Sequence, residues 1–341
     1  MQQLHIKKNN LQNFILIMIV GSVALLIVGI LFVIFGAKNI NFMDIWNAFF
    51  SYDNTNTDHI IIIGLRLPRL IANIMVGSAL ALTGAIMQGS TKNPMADSGL
   101  MGISGGAVFA MTIMLVFFPG MSKLGMIGLS CCGAALATFM TYFIAAASRK
   151  GMTPERLVLS GMSISMLFSS LSSALILKFN MTRELAFYMA GTTSTVNWLD
   201  VQLCAPVFII GVTVSLCISR SLTVMNLGDD VATGLGLNVK LIKTINTLVV
   251  LLLTAMAVII IGPVSYIGLM VPHIARHLVG TDYRLVLPTS ALLGAIFVVI
   301  VDFIGKIIMS PFEMPIGILL SLIGVPFFIY ISRKQRREFG Q

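Results

Sequence analysis

Charge is scarce in this chain. Of 341 residues only 10% are Asp, Glu, Lys or Arg, against about a quarter in an ordinary soluble domain. With 57% hydrophobic residues and a mean hydropathy of +0.96, that shortage excludes a water-soluble enzyme of this length. It also excludes disorder, which needs few apolar residues and dense charge. Cysteine is thin too. The four present, Cys131, Cys132, Cys204 and Cys217, lie in apolar runs without a CxxC pair, so neither a zinc site nor a redox motif is indicated. They read as small membrane-embedded hydrophobes. Of four histidines, His273 and His277 stand four apart. That spacing shares a helix face, but no third ligand accompanies it, and a helix-end role is preferred to a metal site. No G-x-x-x-x-G-K-[ST] phosphate loop occurs, since Gly305-Lys306 runs into Ile307. Any ATP that drives this protein must therefore be bound by another polypeptide. No apolar run carries a charge at its middle, and Arg66, Arg69, Lys178, Asp302 and Lys306 fall near run ends where they can snorkel. This argues against proton or sodium coupling and against voltage sensing.

Long apolar runs are what the chain has in abundance. About 20 such residues span a bilayer, and runs at 14–35, 67–89, 99–118, 124–147, 157–178, 200–219, 241–261, 264–278, 286–308 and 315–332 predict ten helices. The first is longer than a signal-peptide core and lacks a small-residue cleavage site, so it reads as a retained helix. The expected fold is all-α: one polytopic membrane domain, 1–341, with both termini on one side. The net charge is +9. Fifteen of the 22 Lys and Arg, but only six of the 13 acids, fall on the side of the termini, leaving the other side neutral. By the positive-inside rule, the termini are cytoplasmic.

Four segments invite a role. Gly77, Ala81, Ala85 and Gly89 form a small-residue stripe suited to close helix packing. Gly161, Ser165, Ser169 and Ser173 repeat at the same spacing, where hydroxyls either pack or line a hydrated path. The 220–240 linker is the longest cytoplasmic one. There Gly228, Asp229 and Asp230 begin a short amphipathic helix with Ala232 and Leu235, and Gly234 and Gly236 end it. Such a helix either docks a soluble partner or lies on the bilayer. On the opposite side, Arg66 and Arg69 break the general depletion of positives. They contact lipid headgroups or pair bidentately with carboxylates of an incoming protein.

The order of motifs then becomes recognisable. Leu65-Arg66-Leu67-Pro68-Arg69, Gly84-Ala85-Ile86-Met87-Gln88 and Asn93-Pro94-Met95-Ala96-Asp97 are followed by Arg156-Leu157-Val158-Leu159-Ser160-Gly161. After Leu227-Gly228 and Leu235-Gly236-Leu237 come Ile267-Gly268-Leu269-Met270-Val271-Pro272-His273-Ile274-Ala275-Arg276, then Glu313-Met314-Pro315-Ile316-Gly317 and Gly324-Val325-Pro326-Phe327. From about residue 60 onward the chain resembles the permease subunits of iron–siderophore, haem and vitamin B12 ABC importers, the FecCD family of type II importers. The resemblance implies ten helices with a weak internal pseudo-repeat, faintly echoed in Gly99-Leu100-Met101 and Gly268-Leu269-Met270. It implies a second permease subunit (an identical copy or a related paralogue), two ATPase subunits, an extracytoplasmic substrate-binding protein and membrane lipid as partners, with no nucleic acid. No cofactor or metal is expected on this chain, and ATP with Mg belongs to the ATPase. The resemblance assigns Gly228, Asp229, Asp230, Ala232, Gly234, Leu235 and Gly236 to ATPase coupling. It assigns Arg66, Arg69 and Lys306 to binding-protein docking, although Lys306 lacks the arginine fork. Asn93, Met95, Thr153 and Pro154 fall at the gates, and Ser165, Ser169 and Ser173 on the pathway. The expected function is import of ferric siderophore across the bacterial cytoplasmic membrane by alternating access, without catalysis by this chain. The alternatives are a haem or cobalamin permease and a stand-alone secondary carrier.

Overall fold

The computed structural model describes residues 2–36, 38–97, 99, 102–147, 154–181, 188–309, 312 and 314–339, with backbone alone at 2–9, 154–155 and 330–339. Every regular element among them is helical. In chain order these are α1 (Gln2–Ile34), α2 (Phe42–Phe50), α3 (Thr57–Thr91), α4 (Ile103–Phe117), α5 (Lys123–Ala146), α6 (Pro154–Phe179) and α7 (Trp198–Cys217). There follow α8 (Ser219–Met225), α9 (Asp229–Gly234), α10 (Val239–Ile261), α11 (Ile267–Val279), α12 (Tyr283–Ile308) and α13 (Ile316–Phe339). Seven of the described helices are long and apolar enough to cross a membrane: α3, α5, α6, α7, α10, α12 and Asn10–Ile34 within α1. The other three expected spans are shorter apolar helices, α4, α11 and Ile316–Ile329 within α13. Left-handed residues mark two of these shortened starts: Gly102, at φ +80°, caps α4, and Tyr266, at φ +75°, caps α11. The Gly99-Leu100-Met101 half of the pseudo-repeat echo lies largely outside the described residues.

The bundle is organised around α3, most of whose side chains from Pro68 to Gly89 are buried. At 35 residues it is roughly 52 Å long, more than the ~30 Å hydrocarbon core. It starts ten residues earlier than the apolar run, because Asn56 caps Thr57–Ile61 by accepting from the Asp58 N–H at 2.9 Å and Asp58 complements the helix N-terminus. One wide π turn, Ile62–Arg66, joins the two parts. The small-residue stripe is a packing seam. A Cβ on Gly77 would lie 2.2 Å from the Gly294 carbonyl oxygen of α12, and beside the stripe a Cβ on Gly84 would lie 2.0 Å from the Gly268 carbonyl oxygen of α11. Gly89 abuts the Tyr283 ring. Backbones this close exchange dispersion contacts that lipid cannot replace.

A different glycine is expected to tolerate change. The nearest atoms to a Cβ on Gly21 of α1 belong to the flexible side chains of Leu292 and Ile296, which can rotate away. Gly21→Ala should shift the melting temperature of the detergent-solubilised protein by no more than a few degrees, as measured by thermal unfolding.

Candidate coupling and gating site

The helix α9 has six residues. Gly228 precedes it at φ +131°, a conformation that an L side chain rarely adopts. Asp229 and Asp230 occupy its first turn, where the unpaired N–H groups favour negative charge. It closes with Gly236 at φ +83°, whose N–H donates to the Thr233 carbonyl, while Leu237 N–H donates to Ala232 O at 3.0 Å. The paired end bonds and left-handed glycine make a compact stop. Ala232 is buried, while Leu227, Val231 and Leu235 are exposed. A rigid turn therefore presents three apolar side chains outward.

Asp229 ties this helix to two others. Its carboxylate meets Lys92 Nζ at 3.1 Å and Lys243 Nζ at 2.5 Å. Lys92 is the left-handed residue that ends α3, at φ +53°, and Lys243 is in the first turns of α10. The hydrogen bond from Lys243, seconded by Lys92, holds the Asp229 carboxyl below the usual carboxylate range. A further bond, from Asn246 Nδ2 to Ser90 Oγ at 2.7 Å, fastens α10 to the same end of α3. Behind α9, Thr223 of α8 donates to Asp282 at 3.1 Å and accepts from the Tyr283 N–H at 3.0 Å. Asp282, which caps α12, lies below the ordinary carboxylate range chiefly because Arg284 bonds it.

The turn after Lys92 carries two of the expected gate residues. The Asn93 side chain accepts from the Met95 N–H at 2.9 Å, and the Ala96 N–H bonds back to Asn93 O. Met95 is half-buried against a small cavity shared with Tyr266, Met270, His273 and Phe327. Thus Asn93, Met95 and the α9 residues gather at one end of the bundle, joined by Lys92 and Asp229. Sequence reading missed Lys92 and Lys243. Each sits beside a recognised motif, but only the packing shows that they share a carboxylate.

The remaining expected residues lie elsewhere. Thr153 is outside the described residues, and Pro154 opens α6. Ser165 is half-buried against α4, where a Cβ on Gly105 would lie 2.9 Å from its Cα. Ser169 and Ser173 are exposed, and Ser173 Oγ bonds the Ser169 carbonyl.

At the other end of α3, Arg66, Arg69 and Lys306 each bind other parts of the chain. Arg66 is buried, and its guanidinium donates to the carbonyls of Val33, Ile34 and Lys38, closing the C-terminus of α1. Arg69 is also buried and grips Asp302 with both prongs, Nε at 2.8 Å and Nη2 at 2.6 Å. Asn73 and Thr193 donate to the same carboxylate at 2.6 and 3.2 Å. Lys306 Nζ donates to Phe32 O and lies 3.8 Å from the Phe32 ring centroid. Asp302 is fully buried, so it does not snorkel. Proximity to a run end misled, because an arginine and an aspartate on adjacent helices satisfy each other more completely than lipid headgroups satisfy either.

This geometry places an exposed short helix, locked by a carboxylate to a gate-like turn, at one end of an apolar bundle. Residues 24–334 match the model of the FecCD transport family. The chain belongs to the FecCD family. It is 42% identical over 323 residues to the iron(3+)-hydroxamate import system permease protein FhuB of Bacillus subtilis, covering 95% of this chain and 84% of that one. Identity to the iron-uptake system permease protein FeuB of the same organism is 37%, over 95% and 97% of the two chains. A cobalamin import system permease protein, BtuC of Halobacterium salinarum, is 36% identical over 81% and 74%. Among solved structures, one described as an inward-facing conformation of a metal-chelate type ABC transporter superposes with a TM-score of 0.80. It is 26% identical and covers 92% of this chain and 97% of its own. This FecCD protein is accordingly a multi-pass membrane permease subunit of the ABC-importer class and not an enzyme.

Proposed function

We propose that the chain carries ferric siderophore across the bacterial cytoplasmic membrane by alternating access, as one permease subunit of an ATP-driven importer. Ten helices cross the membrane in this reading, with both termini and the 220–240 segment cytoplasmic. A second permease subunit, identical or paralogous, faces it across the path. Two ATPase subunits bind ATP and Mg below, and a binding protein delivers cargo above. Ser165, Ser169 and Ser173 contribute weakly adhesive hydroxyls to the path, because a tight site would trap the cargo. Relatives named for iron(3+)-hydroxamate import and iron uptake support the cargo class. The relative named for cobalamin import keeps haem or cobalamin as the alternative for the same machinery.

The observation that carries the mechanism is the bridging of Lys92 and Lys243 by Asp229. An ATPase surface pressing on Leu227, Val231 and Leu235 moves α9, and α9 pulls on the end of α3 and the start of α10 through one carboxylate. The turn bearing Asn93 and Met95 follows directly. Exposed ion pairs contribute little stability, so the linkage is tested by coupling and not by unfolding. In the reconstituted complex, Asp229→Lys should lower ATP-dependent uptake at least tenfold while the ATPase keeps its basal rate. The triple exchange Asp229→Lys, Lys92→Glu, Lys243→Glu should recover much of the uptake. Wild-type uptake by Asp229→Lys would remove the bridge from the mechanism. The depressed carboxyl fixes the sign of the pH effect. The pairing is complete above the unfolded carboxylate value and is lost as pH falls through the lower folded one. Coupling should therefore be flat from about pH 5 to pH 8.

Cargo and energy source are read together by uptake of a ferric hydroxamate into proteoliposomes. It should require the ATPase, ATP and binding protein at once. Gradient-driven uptake by the permease alone would favour a secondary carrier, and uptake of cobalamin or haem in place of the iron chelate would reassign the cargo.

A further inference from the structure

The helix α2 is amphipathic in the opposite sense to a helix that packs on protein. Its inner side carries Asp44, Ile45 and Asn47, with Ala48 fully covered. Its outer side carries Phe42, Met43, Trp46, Phe49 and Phe50, each more than half exposed. These five recur with the spacing of one continuous helical face, and the rings of Trp46 and Phe50 meet at 4.5 Å between centroids. Soluble surfaces rarely leave so contiguous an apolar patch uncovered.

The position of α2 selects what covers it. The Ile40 N–H donates to Ile34 O at 3.0 Å, and Arg66 binds the carbonyls of Val33, Ile34 and Lys38. The start of α2 is thereby pinned to the end of the span Asn10–Ile34. The outward strip of that span, Leu26, Ile27 and Ile30, continues through Phe35 and is exposed and wholly apolar, as a lipid-facing surface must be. Pinned there, α2 presents its aromatic face at the depth where the span ends. The helix has no Lys or Arg, and its single acid, Asp44, lies off the aromatic face, so its cover is apolar and not an oppositely charged surface. Tryptophan and phenylalanine next to a span end suit the boundary between headgroups and acyl chains.

We propose that α2 is a lateral membrane anchor, lying in the plane of the bilayer interface with Phe42, Met43, Trp46, Phe49 and Phe50 among the lipids. With the termini cytoplasmic this is the outer leaflet. Because α2 packs on α1 and on the first turns of α3, lipid then holds one end of α3 while its other end carries the turn at Asn93.

The chain has two tryptophans, Trp46 and Trp198. In the assembled transporter, the emission lost between wild type and Trp46→Phe therefore reports Trp46 alone. In nanodiscs made with lipid brominated near the headgroup end of its acyl chains, that emission should fall at least twofold relative to unbrominated lipid. Lipid brominated near the chain terminus should quench it less. Acrylamide in the water should have little effect, with or without the binding protein. Strong acrylamide quenching and no quenching by either brominated lipid would overturn the anchor. Protection from acrylamide that develops only on adding the binding protein would assign the face to that partner, and protection without any bromolipid effect would assign it to a neighbouring permease. The readout is lipid contact in either leaflet, so it stands or falls independently of cargo, coupling and orientation.

Discussion

Replacing Asp302 by alanine should cost the folded chain about 3–5 kcal/mol, the usual penalty for breaking a buried ion pair from one side. The carboxylate is fully buried and accepts from Arg69, Asn73 and Thr193. Its loss takes the two-pronged carboxylate from the Arg69 guanidinium and strips Asn73 of the partner for its amide N–H, next to an Asn73 Oδ1 that has none among the described residues. Thr193 belongs to the segment before α7, so three parts of the chain loosen together. Unfolding in mild detergent, followed by fluorescence or by protease resistance, measures the effect. The double change Arg69→Met, Asp302→Leu removes both charges and should recover most of the loss, because a well-packed apolar pair avoids the desolvation that the ion pair must overcome. Equal destabilisation in the single and double variants would show that the pair acts by shape and not by charge. A surface role for Arg69 in recognising a partner predicts the reverse pattern, with stability intact and docking lost.

Gly84→Ala should prevent the bundle from assembling. The added Cβ would lie 2.0 Å from the Gly268 carbonyl oxygen and 2.3 Å from its Cα. Both are backbone atoms, so no rotamer relieves the overlap, and α3 must separate from α11. Because α3 also meets α12 at Gly77 and Gly294, a shift at one crossing misaligns the other. Overpacking a core by a methyl group against flexible side chains costs about 1–3 kcal/mol, and a clash with backbone exceeds that. Little or no monodisperse protein is expected from Gly84→Ala. Gly21→Ala, which meets the flexible ends of a leucine and an isoleucine, should purify normally. Comparable yields would mean that α3 and α11 cross at a greater separation than these distances require.

Together these sites describe α3 as a rod anchored at both ends. Arg66 and Arg69 fix one end to α1 and α12, and the other ends in Lys92 and the turn of Asn93 and Met95. Arg66 and Lys92 are 26 residues apart, roughly 39 Å along a helix. In the proposed mechanism a push on α9 would reach the membrane-spanning part of the molecule through a stiff element, with no long loop between.

Much of this was legible in the residues themselves. Hydropathy located the apolar helices because a membrane span must satisfy its own backbone and face lipid with apolar side chains, which is a local and cumulative signal. The α9 turn was legible for a similar reason: glycines with positive φ and acids at a helix start act within a few residues of one another. Tertiary structure decided what the charges do. Arg69 and Asp302 are separated by 233 positions, and nothing local distinguishes an arginine that snorkels from one that meets an aspartate on the neighbouring helix. Lys92 likewise reads as one more cytoplasmic positive charge until α9 folds against it. Composition and periodicity thus determined that this chain is a helical membrane protein, and the order of its motifs that it is a permease. Which cations face a partner, and which are consumed in holding helices together, was set by packing, because an ion pair depends on the distance between two groups and not on the neighbours of either in sequence.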